Sequence, residues 1–229
     1  MKLLASGRDG DIFEFAPGLV LRKTRDGRSI AHEARIMRYV AEQGFPVPRI
    51  EEVRADGAEI IMERIDGPVM VDAMVRPPWK LAAHMRLLAD LHDRLHEIEG
   101  PDWLPVMPDG GDRLLHLDLH PLNVIMSPNG PVVVDWPNAR RGHPLVDVAL
   151  TFALVSCGTI PLPRPVALAL NAVRKPLLLR TFAPRYVGPE FYRRLAEMAE
   201  LKCFDLNMAP DEIRALRALA KWSAAKAPG

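Results

Sequence analysis

Asp118, Asn123 and Asp135 are the residues of this chain whose types and spacing best suit a reaction. The stretch from Arg113 to Asn138 reads Arg-Leu-Leu-His-Leu-Asp-Leu-His-Pro-Leu-Asn-Val-Ile-Met-Ser-Pro-Asn-Gly-Pro-Val-Val-Val-Asp-Trp-Pro-Asn. Two apolar runs, Leu114-Leu115 and Val132-Val133-Val134, each lead to an aspartate, Asp118 and Asp135. Between them lie Asn123 and the short run Val124-Ile125-Met126, and Ser127-Pro128-Asn129-Gly130 has the chemistry of a tight turn. The reading is a loop carrying Asp118 and Asn123, two short antiparallel strands, and a second loop opening at Asp135. Phosphoryl transfer needs one carboxylate to accept the proton of an attacking hydroxyl, and oxygen ligands for magnesium. Asp118 suits the first role; Asn123 and Asp135 suit the second.

Two other readings stand beside this one. His116, Asp118 and His120 alternate, so on a strand they would share a face and form the metal triad of a hydrolase. Pro121 follows at once, which a central strand does not tolerate, and the triad leaves Asn123 and Asp135 without a role. The third reading is a hairpin whose loop ends are merely polar.

The series His116-Leu117-Asp118, Asn123 and Asp135-Trp136 resembles the catalytic segment of the aminoglycoside phosphotransferase family, which carries His-x-Asp-x-x-x-x-Asn and then an aspartate after a strand. Where that family commonly has glycine between the histidine and the aspartate, this chain has Leu117. The resemblance implies an α+β, protein-kinase-like bilobal fold. Residues 1–67 would form a small antiparallel-sheet N-lobe with one helix and the hinge, and residues 68–229 a mostly helical C-lobe with the catalytic loop and the acceptor site. It implies a kinase using ATP or GTP with Mg²⁺ to phosphorylate a hydroxyl of a small molecule. Asp118 would be the base, Asn123 and Asp135 the Mg²⁺ ligands, and His116 a support. Asp147 would brace the catalytic loop from behind.

The elements that must position these residues follow from local patterns. Lys2–Ala5, Asp11–Phe15 and Leu19–Lys23 read as three strands, with Ala16-Pro17-Gly18 as a turn. Gly7-Arg8-Asp9-Gly10 looks like a shortened nucleotide-covering loop, with Gly7 and Gly10 able to lay backbone N–H groups over phosphates. Asp9 and Asp11 are acids that bare phosphate binding would not ask for. Kinase-like folds place a phosphate-pairing lysine in the third strand. Alternation assigns that place to Arg22, with Val20 on the same face beneath the adenine, and Lys23 as the alternative.

Ile30, Ala34, Met37 and Ala41 repeat at helical spacing after Ser29, a candidate cap. Glu33 lies beside that stripe and needs a cation; the kinase-like resemblance supplies one in the basic residue of the third strand, and so implies a Glu33–Arg22 ion pair. Ile50–Val53 and Glu59–Met62 form a further hairpin. By resemblance, the backbone around Glu63 and Ile65 would bind the adenine edge. Leu81, Met85, Leu88, Leu91, Leu95 and Ile98 mark an amphipathic helix over Pro78–Ile98. His92 and His96, four apart, are read as ordinary helix histidines. Trp103 is expected to plug into the larger lobe, and Pro137–Pro144 to form a basic loop. Helices are expected over Val148–Val155, Pro165–Leu179, Glu190–Cys203 and Asp211–Ala224.

Composition narrows the classes. The 229 residues are 48% apolar, enough for a core, and the net charge of +1 gives no electrostatic argument for nucleic acid or a membrane surface. Cys157 and Cys203 are read as reduced, buried thiols of a cytoplasmic protein, and charged residues recurring from Arg8 onward argue against a signal peptide. The apolar run Val148–Pro163 is too short to span a bilayer and ends in Pro161 and Pro163. From Thr151 to Gly229 there are twelve Lys and Arg against six Asp and Glu. The resemblance implies an acceptor seated against this helical end of the larger lobe; sites for polycations need clustered carboxylates, so the acceptor is expected to be neutral or anionic rather than an aminoglycoside. Arg22 in place of lysine and the short glycine loop motivate a competing class, a non-catalytic nucleotide-binding pseudokinase. Only eight residues separate Trp136 from Leu145, too few for a peptide-docking activation segment.

Overall fold

The computed structural model describes residues 1–7, 10–75, 78–159 and 164–227. Arg8 and Asp9 of the expected glycine loop, and Pro161 and Pro163, lie outside the described residues. In chain order the first elements are β1 (Leu3–Ser6), β2 (Gly10–Ala16), β3 (Leu19–Thr24), α1 (Ala31–Glu42), β4 (Ile50–Arg54), β5 (Glu59–Glu63), α2 (Met70–Val75) and α3 (Leu81–His96). There follow β6 (Arg113–Leu115), β7 (Val124–Ser127), β8 (Gly130–Val133), β9 (Arg140–Gly142), α4 (Pro144–Cys157), α5 (Arg164–Thr181), α6 (Pro189–Lys202) and α7 (Pro210–Ala224). The chain divides into two compact units, Met1–Ala73 with Leu122–Ala139, and Met74–Pro121 with Arg140–Gly229.

The first unit is built on an antiparallel sheet of order β1-β2-β3-β5-β4. Ile12 pairs with Arg22, Val20 with Met62, and Arg22 with Ile60. Directly opposed residues share a face, so Ile12, Val20, Arg22, Ile60 and Met62 form one surface. Helix α1 buries Ala34, Ile36, Met37 and Val40. Its N-cap is Ile30, which makes no side-chain cap bond; Ser29, the expected cap, stands one residue upstream and accepts from the Ala31 amide at 3.3 Å. The β7–β8 hairpin turns through Pro128 and Asn129, with Ser127 opposite Gly130.

The expected division put this hairpin in the C-terminal lobe and the boundary near Gly67; the compact units divide the chain differently. The Met126 amide donates to Pro68 O and the Val133 amide to Pro46 O, each at 2.8–2.9 Å. The Phe45 ring meets Trp136 edge-on at 5.8 Å. Residues 122–139 therefore belong to the sheet's unit.

In the second unit α3 buries Met85, Leu88, Leu91, His92 and Leu95. Strand β6 pairs with β9, so part of the expected basic loop is a strand. Arg141 is used structurally: its guanidinium bonds Asp102 at 2.5 Å, and a Cβ on Gly100 would lie 2.4 Å from its Cγ. The plug from the preceding loop is Leu104, 3% exposed, while Trp103 is only half-buried. Helix α4 is buried almost all round from Val146 to Ala153. Phe152 packs edge-on against Phe191 of α6, and Tyr192 against Trp222 of α7. Both cysteines are free, and among the described residues no helix is long and apolar enough to cross a membrane.

Candidate active site

The first unit encloses a cavity of about 630 Å³, within the usual size of a small-molecule site. The sheet face contributes Ile12, Val20, Arg22 and Met62; the strand exit contributes Glu63 to Gly67; the hairpin contributes Ile125, Val134 and Asp135. Gly7 and Gly10 also line it. A Cβ on Gly10 would lie 2.4 Å from Lys23 O, so glycine lets β2 meet β3 here. Gly67, at φ +153°, stands where a Cβ would meet Met126 O at 2.3 Å. Apolar walls that also carry the charges of Arg22, Glu63, Arg64, Asp66 and Asp135 suit a flat base and its phosphates.

The charged wall is a short chain of groups. Arg22 Nη1 bonds Glu33 Oε1 at 2.5 Å, the ion pair that the resemblance implied, and Arg22 Nη2 lies 3.8 Å from Asp135 Oδ1. Lys23 points to the other face and pairs with Glu59 at 2.8 Å, so strand parity gives the cavity to Arg22. Glu33 is 2% exposed. Its Oε1 also accepts from the Trp136 amide at 3.3 Å, while its buried Oε2 has no partner. Burial pushes the Glu33 carboxyl above its ordinary range, Arg22 opposes this, and the charge of Asp135 adds to it. Asp135 adopts φ +69° and its side chain is 45% exposed.

The strand exit is partly committed to the sheet. The Glu63 amide donates to Arg49 O and the Arg64 amide to Gly18 O. The Arg49 amide donates to the Glu63 side chain rather than its carbonyl. A base edge at Glu63 would therefore use that carbonyl, not the amide. Asp11, the unexpected acid, is taken up by Ser6 and Arg25, each at 2.7 Å.

The second unit builds the loop of Asp118. Strand β6 ends at Leu115, so His116, Asp118 and His120 are not on a strand, and the face-sharing argument for a metal triad fails. His116 is buried, and its Nδ1 accepts from the Asp118 amide at 3.2 Å. Leu117 adopts φ +59°. For a residue other than glycine this left-handed conformation costs about 1–2 kcal/mol. Asp147, in the first turn of α4, holds the turn: Oδ2 accepts from the His116 amide at 2.9 Å and Oδ1 from the Leu117 amide at 2.8 Å. His96 Nε2 lies 3.2 Å from the same Oδ2. Thr151 Oγ1, further along α4, donates to Leu119 O at 2.7 Å.

Burial alone would raise both aspartates. His96, His92 and His116 outweigh it and hold Asp147 well below the usual carboxylate range. For Asp118 the opposing group is His120, 3.3 Å away, and the net displacement is again downward. Asp118 thus stays ionised at neutral pH, with its side chain 21% exposed.

Gly7, Gly10, Val20, Arg22, Glu63, Ile65 and Asp135 line the same cavity, with Glu33 paired to Arg22. Asn123 is not among the lining residues; it closes a 3₁₀ turn, is 9% exposed, and its carbonyl accepts from the Val134 amide at 3.0 Å. Asp118, His116 and Asp147 are built in the other unit. Sequence reasoning missed Ile12, Met62, Ile125 and Val134, although strand parity with Val20 signals the first two. It also set aside His92 and His96. Their ring nitrogens and an oxygen of Asp147 lie within 4.8 Å of one another, the donor group that is close enough for a metal among the described residues.

The model of the phosphotransferase enzyme family matches residues 1–106 and 76–172. No curated protein matches the sequence. A thermostable mutant of aminoglycoside phosphotransferase APH(4)-Ia, in ternary complex with AMP-PNP and hygromycin B, has a TM-score of 0.71 at 16% identity, covering 99% of this chain and 94% of that one. Amicoumacin kinase hAmiN, in complex with AMP-PNP, Ca²⁺ and Ami, has a TM-score of 0.54 at 15% identity, covering 99% and 88%. A choline/ethanolamine kinase family protein from Mesorhizobium loti has a TM-score of 0.52 at 17% identity, covering 99% and 87%. At these identities the likeness gives the fold, α+β and protein-kinase-like, as the resemblance implied.

Proposed function

We propose that this chain, which belongs to the phosphotransferase enzyme family and is therefore a phosphotransferase, moves the γ-phosphate of ATP or GTP to a hydroxyl of a small molecule other than a polycationic aminoglycoside. The observation that carries the reading is the cavity whose apolar walls end in the Arg22–Glu33 pair and the Asp135 carboxylate. Val20 and Ile125 offer apolar surface to a base, and the backbone at Glu63 and Ile65 offers polar groups to its edge. Arg22 presents a fork of N–H donors that suits phosphate oxygens, with Glu33 fixing its orientation. Asn123 and Asp135 provide an amide oxygen and a carboxylate, the hard donors that Mg²⁺ prefers. When bound, the magnesium nucleotide supplies the phosphoryl group and the counter-charge for its transfer. Asp118, ionised at neutral pH, accepts the proton of the acceptor hydroxyl. His116 and Asp147 support its loop.

The acceptor class rests on charge. Among the six acids after Thr151, Glu190, Glu197, Asp205 and Asp211 are in ion pairs. Glu212 accepts from the amides of Thr159 and Ala209. The turn after α6 exposes Phe204 and Leu206 by 82% and 100%. Such a surface supports a neutral or anionic acceptor.

A pseudokinase is the second reading, favoured by Arg22 in the lysine position and by the strained Leu117. A thermal-shift series with Mg²⁺ nucleotides, followed by transfer assays on a hydroxyl-compound library, separates the two. Binding to the native state raises the melting temperature. Transfer lost in Asp118→Ala supports the kinase; nucleotide binding without transfer to any compound supports the pseudokinase. Efficient phosphorylation of kanamycin- or streptomycin-class compounds overturns the acceptor reading.

A further inference from the structure

We infer that His96 is a positioning residue for phosphoryl transfer: by donating to Asp147 it fixes the left-handed turn that carries Asp118. The inference rests on the assignment of Asp118 as base. The turn at Leu117 is held by two amides, those of His116 and Leu117, each bonded to a different oxygen of one carboxylate. That carboxylate, on Asp147, is wholly buried. A buried charge holds its place only when further donors or a cation compensate it.

His96 is the side chain that does so. Its Nε2 faces an oxygen that can only accept, so that nitrogen carries the hydrogen. His92 is a weaker candidate. Its Nδ1 lies 3.8 Å from the same oxygen, and burial pushes its pKa down to about 4, so it is neutral under ordinary conditions. Its ring lies 5.5 Å from both His96 and Phe182.

The same three residues bring metal-binding donors together, but Asp147 is already spent on the loop. An ion drawing on Oδ2 would compete with the His116 amide, and one drawing on Oδ1 would compete with the Leu117 amide. Without the His96 donor the buried carboxylate keeps its two amide bonds but loses the side-chain donor on Oδ2 that helps fix its orientation. Leu117 would then relax from φ +59°, and Asp118 would turn with it.

The test uses the full chain carrying His96→Gln, His96→Asn, His96→Leu or Asp118→Ala. Glutamine reaches as far as the imidazole Nε2 and keeps a donor; asparagine keeps a donor that falls short; leucine has none. The probe is MgATP hydrolysis, with water in the acceptor's place, together with backbone hydrogen exchange over residues 116–118. His96→Leu and His96→Asn should lower kcat about tenfold, leave the KM for MgATP within twofold, and speed exchange at the two amides. His96→Gln should keep kcat within threefold of wild type. If His96→Leu does not fold, the Gln and Asn pair carries the same comparison. Unchanged kcat and exchange in His96→Asn would overturn the inference, as would equal losses in Gln and Asn or stoichiometric zinc in the purified protein. Full activity in Asp118→Ala would instead overturn the base assignment, and the exchange data would still report whether His96 holds the turn.

Discussion

Replacing Arg22 by methionine tests whether the buried Glu33 depends on its cation. The pair is close, 2.5 Å, and Glu33 is 2% exposed. Breaking a buried pair by removing one partner costs about 3–5 kcal/mol. Two features place this pair at the low end: the Trp136 amide still donates to Oε1, and the Arg22 side chain is 19% exposed, so water can enter. A loss of about 3 kcal/mol is more than a hundredfold in the folding equilibrium, at about 1.4 kcal/mol per factor of ten. With a urea slope of about 2 kcal/mol per M, the midpoint should fall by about 1.5 M.

The pH dependence has a definite sign. Burial already holds the Glu33 pKa above its unfolded value, and removing Arg22 takes away the main opposing charge. A carboxyl raised on folding stabilises the native state below its unfolded pKa and loses that contribution as pH rises through the folded value. The deficit of Arg22→Met should therefore be larger at about pH 8 than at about pH 5. Urea titrations followed by tryptophan fluorescence at both pH values measure it. Adding Glu33→Gln should recover most of the deficit at pH 8, because a neutral amide no longer needs the cation. A variant that unfolds with wild type at pH 8, or whose deficit is the same at both pH values, would refute the claim that Glu33 is a desolvated charge held by Arg22.

Three further outcomes are expected. Leu117→Gly should change stability by less than about 1 kcal/mol, because relief of the left-handed strain offsets the added unfolded-state entropy; chemical denaturation checks this. Asp135→Asn removes the cavity carboxylate beside Arg22 and should lower kcat at least about tenfold while raising the Mg²⁺ concentration needed for half-maximal activity, read from a metal titration. Gly67→Ala places a Cβ against Met126 O, and should weaken MgATP binding about tenfold by displacing the hairpin, as thermal shifts would show.

Much of this was legible because it is periodic. Alternation along the third strand put Val20 and Arg22 on one face, and the register with β2 and β5 confirms the face they share. Helical spacing set Glu33 beside an apolar stripe, where it could not stay unpaired. What was not legible depends on bonds between distant backbone groups. Nothing in Val124–Val133 announces that its amides will meet the carbonyls of Pro46 and Pro68, so the unit it belongs to could not be read. Arg140–Gly142 has no apolar residue to mark it as a strand, and it becomes one because Arg113–Leu115 lies beside it.

Leu117 shows a different kind of gap. Its side chain performs no chemistry, so its departure from the family's glycine seems minor when only side chains are compared. The backbone shows why glycine suits the place, since φ is +59° there. Asp135 is left-handed too, at +69°. Both turns are restrained in the same way, each within its own unit. The Leu117 amide bonds the buried carboxylate of Asp147 on α4, and the amide next to Asp135, that of Trp136, bonds the buried carboxylate of Glu33 on α1. Each carboxylate has a nitrogen donor at its side, His96 for Asp147 and Arg22 for Glu33. A helix-borne acid kept in place by a basic side chain thus fixes the backbone at each proposed reacting aspartate.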